Sequence, residues 1–183
     1  NKEGNVSKLK TLGKKYAFEI TAVKDKIENE RIVKSSLIRN LIVHKKFSHA
    51  LELLGHPYLI MGKVIDGKGR GKTLGYPTAN IEIKETKIIP PLGVYAGYAI
   101  VGKKHFKTAV NIGRNPTFGG KNITVEAHLI GFHKNIRGKK IKVFLIKKIR
   151  NEKKFANQNG LVETIKKDIL KVTRILSSKN TIY

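Results

Sequence analysis

Residues 62–80 of the chain read GKVIDGKGRGKTLGYPTAN. The glycines that follow the first residue of this stretch are Gly67, Gly69, Gly71 and Gly75. Glycine lets backbone N–H groups approach a ligand closely and point together, so such a loop can cradle phosphate oxygens. Arg70 and Lys72 add positive charge to it. The stretch therefore predicts a phosphate-binding loop between two strands, with a flexible hairpin connection as the alternative interpretation.

Two familiar phosphate motifs do not fit this loop. The tripeptide Gly71-Lys72-Thr73 resembles the end of a P-loop, but Asp66 occupies the place of its first glycine. Pro77 and a strand pattern also replace the helix that should follow. The dinucleotide-binding fingerprint fails as well, because Lys72 or Leu74 stands where its third glycine is required. The loop is therefore of a different kind.

Thr78 and Asn80 come directly after the loop. On an extended strand, residues two positions apart project to the same face. Their hydroxyl and amide oxygens are hard ligands that suit Mg²⁺, which retains waters and is completed by substrate phosphates. We therefore expect Thr78 and Asn80 to hold a metal ion, although Thr and Asn near a turn more often cap backbone groups.

Strand signals dominate the sequence around this loop. Short apolar or alternating runs that are bounded by glycine turns are typical of an antiparallel barrel or sandwich. The candidate strands are Tyr58–Ile65, Thr78–Ile83, Gly93–Val101, His105–Ile112, Asn122–Ile130 and Lys140–Ile149. From Leu161 to Leu176 the apolar residues recur every three or four positions, which predicts an amphipathic C-terminal helix.

The first 54 residues follow a different pattern, so we expect one segment at 1–54 and a second domain at 55–183. Alternation over Tyr16–Val23 predicts a strand. A helix can begin at the serine pair 35–36, and a second one should end at Gly55. The first segment is therefore expected to be a short α/β remnant.

The charge and composition restrict the function further. With 38 Lys and Arg against 13 Asp and Glu, the 183-residue chain carries a formal net charge of +25. This field attracts polyphosphates and makes a basic nucleic-acid-binding module without catalysis the alternative function. Only seven of the basic residues are arginine, so we expect mostly solvated lysines and no specific nucleic acid. The absence of cysteine and of an apolar run near the roughly 18 residues of a membrane span favours a cytoplasmic protein without a membrane partner.

The chain resembles riboflavin kinase. Residues 62–80 match the pattern G-x-x-x-x-G-x-G-R-G-x-x-L-G-Y-P-T-A-N, which is highly specific to that family. The resemblance covers residues 54–175 and includes GVY at 93–95, NIGRNPTF at 111–118, VEAH at 125–128 and the R-x-x-x-x-F spacing of Arg150 and Phe155. It implies a mainly β fold, a six-stranded antiparallel Greek-key barrel with a C-terminal α-helix.

The resemblance also implies an enzyme that transfers the γ-phosphoryl group of ATP to the 5′-hydroxyl of riboflavin, giving FMN and ADP. Riboflavin and ATP would be its small-molecule substrates and Mg²⁺ its cofactor. The residues expected to bind ATP are Gly67, Gly69, Arg70, Gly71, Lys72 and Thr78.

The start of the chain resembles a second enzyme. VKSSLIR at 33–39 is similar to the segment that closes the FMN adenylyltransferase domain of bifunctional bacterial FAD synthetases, and residues 50–58 resemble their interdomain join. Lys34 and Ser36 depart from that pattern, and the chain has no H-x-G-H element for the adenylyl step. We therefore expect an incomplete domain that belongs to a longer bifunctional chain, and no FAD formation by this chain alone.

A kinase also needs a group that accepts the proton of the attacking hydroxyl. The acids between residues 57 and 150 are Asp66, Glu82, Glu85 and Glu126. Glu126 lies in a regular strand with apolar residues on the opposite face, and it matches the catalytic glutamate of the resembling family. Glu82 is the rival because it shares a face with Thr78 and Asn80. Without the resemblance, a cross-strand partner of a lysine would be the favoured interpretation of Glu126.

The segment before the C-terminal helix is expected to bind flavin. Arg150, Lys153 and Phe155 match the corresponding segment of the family, and a guanidinium and an aromatic ring can both lie against a flavin. A charged connection with one aromatic anchor is the alternative. Residues 111–118 could form an ordinary turn, and the resemblance suggests a loop near the site. Most of the six histidines should have surface or packing roles, with His128, on the face of Glu126, as the exception.

Overall fold

The computed structural model describes residues 5–28, 31–117 and 120–177. It contains two compact units, residues 1–35 and 36–183. In the first unit, helix α1 (Val6–Tyr16) begins after Asn5, whose side chain accepts a hydrogen bond of 2.8 Å from the backbone N–H of Lys8. Strands β1 (Ile27–Glu28) and β2 (Arg31–Ile32) then form a two-stranded antiparallel pair.

The strand expected at Tyr16–Val23 is wrong. Tyr16 ends α1, the chain turns at Ala17 with a φ of 54°, and residues 18–26 have no regular structure. Alternation alone does not make a strand, because a strand needs a neighbour to satisfy its backbone groups. The local Asn5 cap and the helix that it starts were not predicted.

The second unit begins with two helices. Helix α2 (Ser35–Val43) and helix α3 (Phe47–Leu54) occur where the sequence predicts them, and α3 ends at Gly55, which has a φ of 70°. Apart from Ser35, both helices fall within the unit that contains the barrel. The domain boundary expected between residues 54 and 55 stays a prediction.

The remaining strands close into a barrel. They are β3 (Tyr58–Ile65), β4 (Ala79–Ile81), β5 (Gly93–Val101), β6 (Lys104–Thr117), β7 (Gly120–Leu129) and β8 (Lys140–Arg150), with the helical turn α4 (Arg70–Thr73) between β3 and β4. Their order around the barrel is β3-β4-β7-β6-β5-β8, and every pair is antiparallel. The six-stranded Greek-key barrel is confirmed. Alternate residues fill its interior, among them Ile60, Tyr95, Val110, Val125, Val143 and Leu145.

The long strand β6 corrects one expectation. The turn or loop expected at residues 111–118 is wrong for residues 111–117, which continue β6 and pair with β7 in unbroken register. Phe118 lies outside the described residues. Pro116 suggested a turn, but proline is tolerated in a strand where its missing N–H is not needed by the ladder.

The C-terminal helix α5 (Gln158–Ser177) packs on the outer face of the barrel. Its apolar residues form a buried cluster with those of β5 and β8, namely Val94, Ala96, Ile149, Val172 and Leu176. The Tyr98 hydroxyl of β5 donates a hydrogen bond of 3.0 Å to the carbonyl oxygen of Leu176. The predicted helix is confirmed. None of the helices in the described ranges is long and apolar enough to cross a membrane.

Helix α3 contacts one part of the barrel through an aromatic cluster. The Phe47 ring stands edge-on to the rings of Tyr58 and Tyr95, with centroid distances of 6.1 and 5.2 Å. Burial raises the pKa of both tyrosines above the ordinary value. The Lys87 ammonium lies 3.9 Å from the centroid of the Tyr58 ring, and burial lowers its pKa.

Candidate active site

A row of polar side chains crosses three adjacent strands of the barrel. Asn80 of β4 lies opposite Glu126 of β7, and Glu126 lies opposite Asn111 of β6. Directly opposed residues share one face of a sheet, so all three side chains lie on the outer face. Their neighbours Val125 and Ala127 are buried on the inner face. The strand geometry predicted for Glu126 is thus observed.

Thr78 lies beside this row. Its hydroxyl donates a long hydrogen bond of 3.4 Å to Oε2 of Glu126. The rival acid, Glu82, is exposed, and its backbone N–H donates to the carbonyl oxygen of Lys63 at 2.9 Å. The structure therefore pairs Thr78 with Glu126 through a hydrogen bond. Glu82 lines the same surface cavity as these two residues.

The other two acids of the sequence-based set have different surroundings. Asp66 forms an exposed ion pair with Arg137, and Glu85 is exposed. His128, which we singled out among the histidines, donates from Nδ1 to the carbonyl oxygen of Pro77 at 2.8 Å. Its ring also meets the Tyr76 ring edge-on, at 5.7 Å between centroids. These contacts fix the chain at the entry to β4.

The glycine loop passes very close to this strand. A Cβ atom on Gly67 would lie 1.9 Å from Nδ2 of Asn80, and one on Gly71 would lie 2.4 Å from the carbonyl oxygen of Tyr76. Gly69 has a φ of 69° and precedes the helical turn α4. Gly71 is therefore required by close approach to the backbone and Gly69 by its conformation, whereas a side chain at Gly67 would displace the Asn80 amide. The loop contains one helical turn that the sequence did not predict.

Three cavities meet at Thr78. The largest, about 680 Å³, also touches the glycine loop, Asn80 and Glu126. A second, about 530 Å³, also touches Gly67 and Gly69 of the loop and contains apolar residues such as Phe132 and Ile136. The third, about 300 Å³, lies between the barrel and α5 and is mostly apolar. Its apolar lining includes Leu74, Tyr76, Val94, Phe155, Leu161 and Ile165.

The residues expected to bind flavin all line the third cavity. Arg150 and Phe155 lie together, with 6.0 Å between the guanidinium carbon and the ring centroid, and Lys153 is exposed at the same cavity. Nε of Arg150 donates to both carboxylate oxygens of Asp168 on α5, at 3.1 and 2.9 Å. Nη2 lies 2.8 Å from Oδ2 of Asp168, and Nη1 donates to the carbonyl oxygen of Asn151 at 3.0 Å.

Sequence reasoning missed two acids here. Glu152 lines both the 680 and the 300 Å³ cavities, and its Oε1 accepts a weak hydrogen bond of 3.4 Å from the N–H of Arg114. It lies two positions after Arg150, outside the range of residues 57–150 that supplied the candidate acids. Asp168 interrupts the apolar stripe of α5, and a charge within such a stripe is a signal that could have revealed it.

The residues around Thr78 suit the metal that the family implies. The hydroxyl of Thr78 and the amide oxygen of Asn80 are hard oxygen donors of the kind that Mg²⁺ prefers, and the Glu126 carboxylate lies beside them. Among the residues that the structure describes, no group of three or more His, Cys, Asp or Glu side chains is placed to hold a metal ion. A cation at this point would therefore need waters or phosphate oxygens as further ligands.

A β-barrel of this kind, with a glycine-rich loop, oxygen donors and two acids, Glu126 and Glu152, that line two of the cavities, has the parts of a small-molecule kinase. The family model Flavokinase, riboflavin kinase, matches residues 54–176. The chain belongs to the riboflavin kinase family.

Individual relatives agree with this assignment. The chain is 40% identical over 173 residues to the bifunctional riboflavin kinase/FMN adenylyltransferase of Buchnera aphidicola subsp. Schizaphis graminum, covering 92% of this chain and 55% of the relative. The chain thus spans about half the length of the curated relatives it matches.

Two solved structures are also similar. One is described as a macrolide-efflux protein from Streptococcus pneumoniae, with a TM-score of 0.75 and 30% sequence identity. The match covers 89% of this chain and 53% of the other protein's chain. The other is riboflavin kinase from Trypanosoma brucei, with a TM-score of 0.51 and 26% sequence identity. The match covers 67% of this chain and 81% of the other protein's chain.

Proposed function

We propose that this riboflavin kinase domain transfers the γ-phosphoryl group of ATP to the 5′-hydroxyl of riboflavin, giving FMN and ADP. The observation that carries the proposal is the position of Glu126, which accepts the hydrogen bond of Thr78 and lines both the 680 Å³ cavity beside the glycine loop and the apolar 300 Å³ cavity under α5. A carboxylate at that junction can reach a hydroxyl presented from one cavity to a phosphate held in the other.

The phosphates of ATP are assigned to the glycine loop. Gly67, Gly69 and Gly71 allow a close approach of the backbone, and Arg70 and Lys72 supply positive charge. Thr78 lines all three cavities at the end of this loop. The 530 Å³ cavity, with Phe132 and Ile136, is the place that suits the nucleotide base.

Thr78 and Asn80 are the residues that would hold Mg²⁺. The ion would neutralise the charge that develops on the transferred phosphoryl group. The Asn80 amide lies so close to Gly67 that a Cβ atom there would collide with it, so this side chain is beside the loop. In the same way, the hydrogen bond of Thr78 to Glu126 keeps the hydroxyl and the proposed base together.

The acceptor substrate is assigned to the cavity between the barrel and α5. Its mostly apolar lining suits the isoalloxazine ring, with Phe155 offering stacking area and Arg150 and Lys153 offering hydrogen bonds. Glu126 then accepts the proton of the 5′-hydroxyl as its oxygen attacks the γ-phosphorus, and ADP leaves with the bridging oxygen. The bond from the 5′ oxygen to the γ-phosphorus forms as the bond to the bridging oxygen breaks, and the proton stays on the Glu126 carboxyl until it passes to solvent.

One assay tests this function. The purified chain is incubated with riboflavin, ATP and Mg²⁺, and chromatography should show FMN in amounts that match the ADP formed. Riboflavin binding without any FMN would contradict the proposal. The alternative, a nucleic-acid-binding module, would instead retain single or double strands with a steep dependence on salt and form no FMN.

The longer relatives suggest a wider context. We propose that residues 1–54 are the closing part of an FMN adenylyltransferase-like domain and that the chain belongs to a longer bifunctional protein, since it matches only about 55% of such a relative. We also propose that it works in the cytoplasm, where ATP is available. The chain alone should form no FAD from FMN and ATP, and detection of FAD would contradict this.

A further inference from the structure

Asp168 is a carboxylate on the apolar face of α5. The residue is 8% exposed, and α5 packs its apolar residues Val172 and Leu176 against the barrel. Burying an ionised carboxylate among apolar groups costs free energy unless a partner compensates for the lost water. The compensation here comes from one residue, Arg150 at the end of β8.

The contact between the two side chains uses a large part of the guanidinium. Nε and Nη2 of Arg150 face the Asp168 carboxylate at 2.8 to 3.1 Å, and Nη1 donates to the carbonyl oxygen of Asn151. Arginine has five N–H donors, so one remains on each terminal nitrogen. Both Arg150 and Asp168 line the apolar 300 Å³ cavity.

Stability alone is a poor reason for an ion pair at this place. Replacing a buried ion pair by well-packed apolar residues is often neutral or stabilising, whereas a fixed guanidinium is valuable where a ligand must be recognised. Without Asp168, the long Arg150 side chain would sample several rotamers. A ligand would then have to select the one that faces it, and its affinity would fall by the fraction of time that this rotamer is populated.

We propose that Asp168 is a positioning residue for flavin recognition. It holds Arg150 so that the two remaining N–H donors are available to the acceptor atoms of the isoalloxazine ring, its carbonyl oxygens and ring nitrogens. This inference rests on the proposed function, because it places flavin in the cavity under α5. It assigns to α5 a part in substrate recognition in addition to its packing against the barrel.

The test begins with Asp168→Asn in the full chain. This variant keeps the shape and one acceptor oxygen but loses the charge. If Arg150 then occupies the binding orientation for about a tenth of the time, the riboflavin Kd, measured by quenching of flavin fluorescence, should rise about 10-fold. The KM for ATP should not change. Glu163→Gln, the same chemical change at an exposed position of α5, is the matched control and should leave both constants unchanged.

A double-variant cycle separates positioning from folding. In the Arg150→Met background, Asp168→Asn should cause no further loss of riboflavin affinity, because the group on which it acts is absent. An equal loss in both backgrounds would overturn the proposal. So would a lower melting temperature of Asp168→Asn with an unchanged riboflavin Kd, since that result assigns Asp168 to the fold alone.

Two further variants keep the test decisive. If Asp168→Asn does not fold, Asp168→Glu keeps the charge on a longer arm and should show an intermediate Kd, and a wild-type Kd in a folded Asp168→Leu chain would overturn the proposal. The wild-type chain also serves as the reference for the proposed function. If it binds riboflavin and forms FMN while the variants bind equally well, only the positioning role fails. If it neither binds riboflavin nor forms FMN, both proposals fail.

Discussion

The register between β4 and β7 decides which acid lies beside the glycine loop. Asn80 pairs with Glu126, and the Thr78 hydroxyl reaches the Glu126 carboxylate at 3.4 Å. A shift of one residue would turn Glu126 into the barrel and bring Val125 or Ala127 to the surface. Because both of those residues pack in the barrel interior, the position of the proposed base is held by the core.

The first residue-level prediction concerns the proton acceptor. Glu126→Gln keeps the size and the strand position but cannot take up the proton, so we expect kcat for FMN formation to fall about 100- to 10,000-fold. Riboflavin binding should change little. Glu82→Gln, the same substitution at the exposed rival, should keep near-normal turnover. An inactive Glu82→Gln with an active Glu126→Gln would transfer the role of base to Glu82.

The second prediction separates the metal side of the site from the base. Thr78→Val keeps the β-branched shape and removes the hydroxyl. We expect a higher KM for Mg-ATP, partly restored by raising the Mg²⁺ concentration, because an oxygen donor has been lost. Glu126→Gln should gain nothing from additional Mg²⁺. An Mg²⁺ titration of initial rates on both variants makes the comparison, and identical responses would argue against a metal role for Thr78.

At the scale of elements, the aromatic contact between α3 and the barrel should make stability depend on alkaline pH. Burial raises the pKa of Tyr58 and Tyr95 above the ordinary 10.0, so the folded chain keeps these protons to a higher pH than the unfolded chain does. The contribution of these two tyrosines to the free energy of unfolding is fully present below about pH 10. It is lost as the pH rises through their pKa values in the folded chain. Lys87 has the opposite effect on the pH dependence of stability, because burial lowers its pKa and the folded chain releases its proton at a lower pH than the unfolded chain does.

The measurement is a series of urea denaturation curves between about pH 8 and 11.5. The wild-type chain should lose free energy of unfolding in the alkaline part of this range. Tyr95→Phe keeps the ring against Phe47 and lacks the phenol proton, so its curve should fall less steeply even if it starts lower. Equal slopes for the two chains would show that Tyr95 does not cause the alkaline loss.

The elements differ in how well the sequence predicts them. Strands β3 and β5 match their predicted bounds, because alternating side chains fill a closed interior and glycine turns mark their ends. Helix α1 was not predicted, since its main signal is one Asn cap and the strand that was expected instead, Tyr16–Val23, begins at its last residue. Strand β6 was predicted too short because Pro116 suggested a turn, whereas pairing with β7 carries the strand to Thr117.

The residues of the site also differ in how well the sequence predicts their positions. One continuous stretch contains Thr78, Asn80 and the glycines, so the local sequence pattern alone predicts that they lie close together. Glu126 is 46 residues from Asn80 along the chain, yet strand alternation correctly predicted its face. The pair of Arg150 and Asp168 depends on how α5 lies against the barrel, and this tertiary packing cannot be read from spacing.

At the scale of the whole molecule, the residues assigned to the reaction all belong to the unit of residues 36–183. A chain of residues 36–183 should therefore still form FMN. A chain of residues 55–183, cut at the predicted domain boundary, keeps the same site but loses Phe47 from its place against Tyr58 and Tyr95. Phe47 is 3% exposed, and removing a buried Phe side chain typically costs about 3 to 5 kcal/mol.

That cost is large beside the total stability of about 5 to 15 kcal/mol that is usual for a domain. We therefore expect residues 36–183 to unfold cooperatively and to make FMN, and residues 55–183 to melt at a clearly lower temperature and to lose activity on warming. Phe47→Ala in the full chain is the matched control, because it removes the same ring and leaves the chain length unchanged. If the chain of residues 55–183 melted at the same temperature as the chain of residues 36–183, α2 and α3 would add nothing to the stability of the barrel. The predicted boundary after residue 54 would then mark the start of an independent domain.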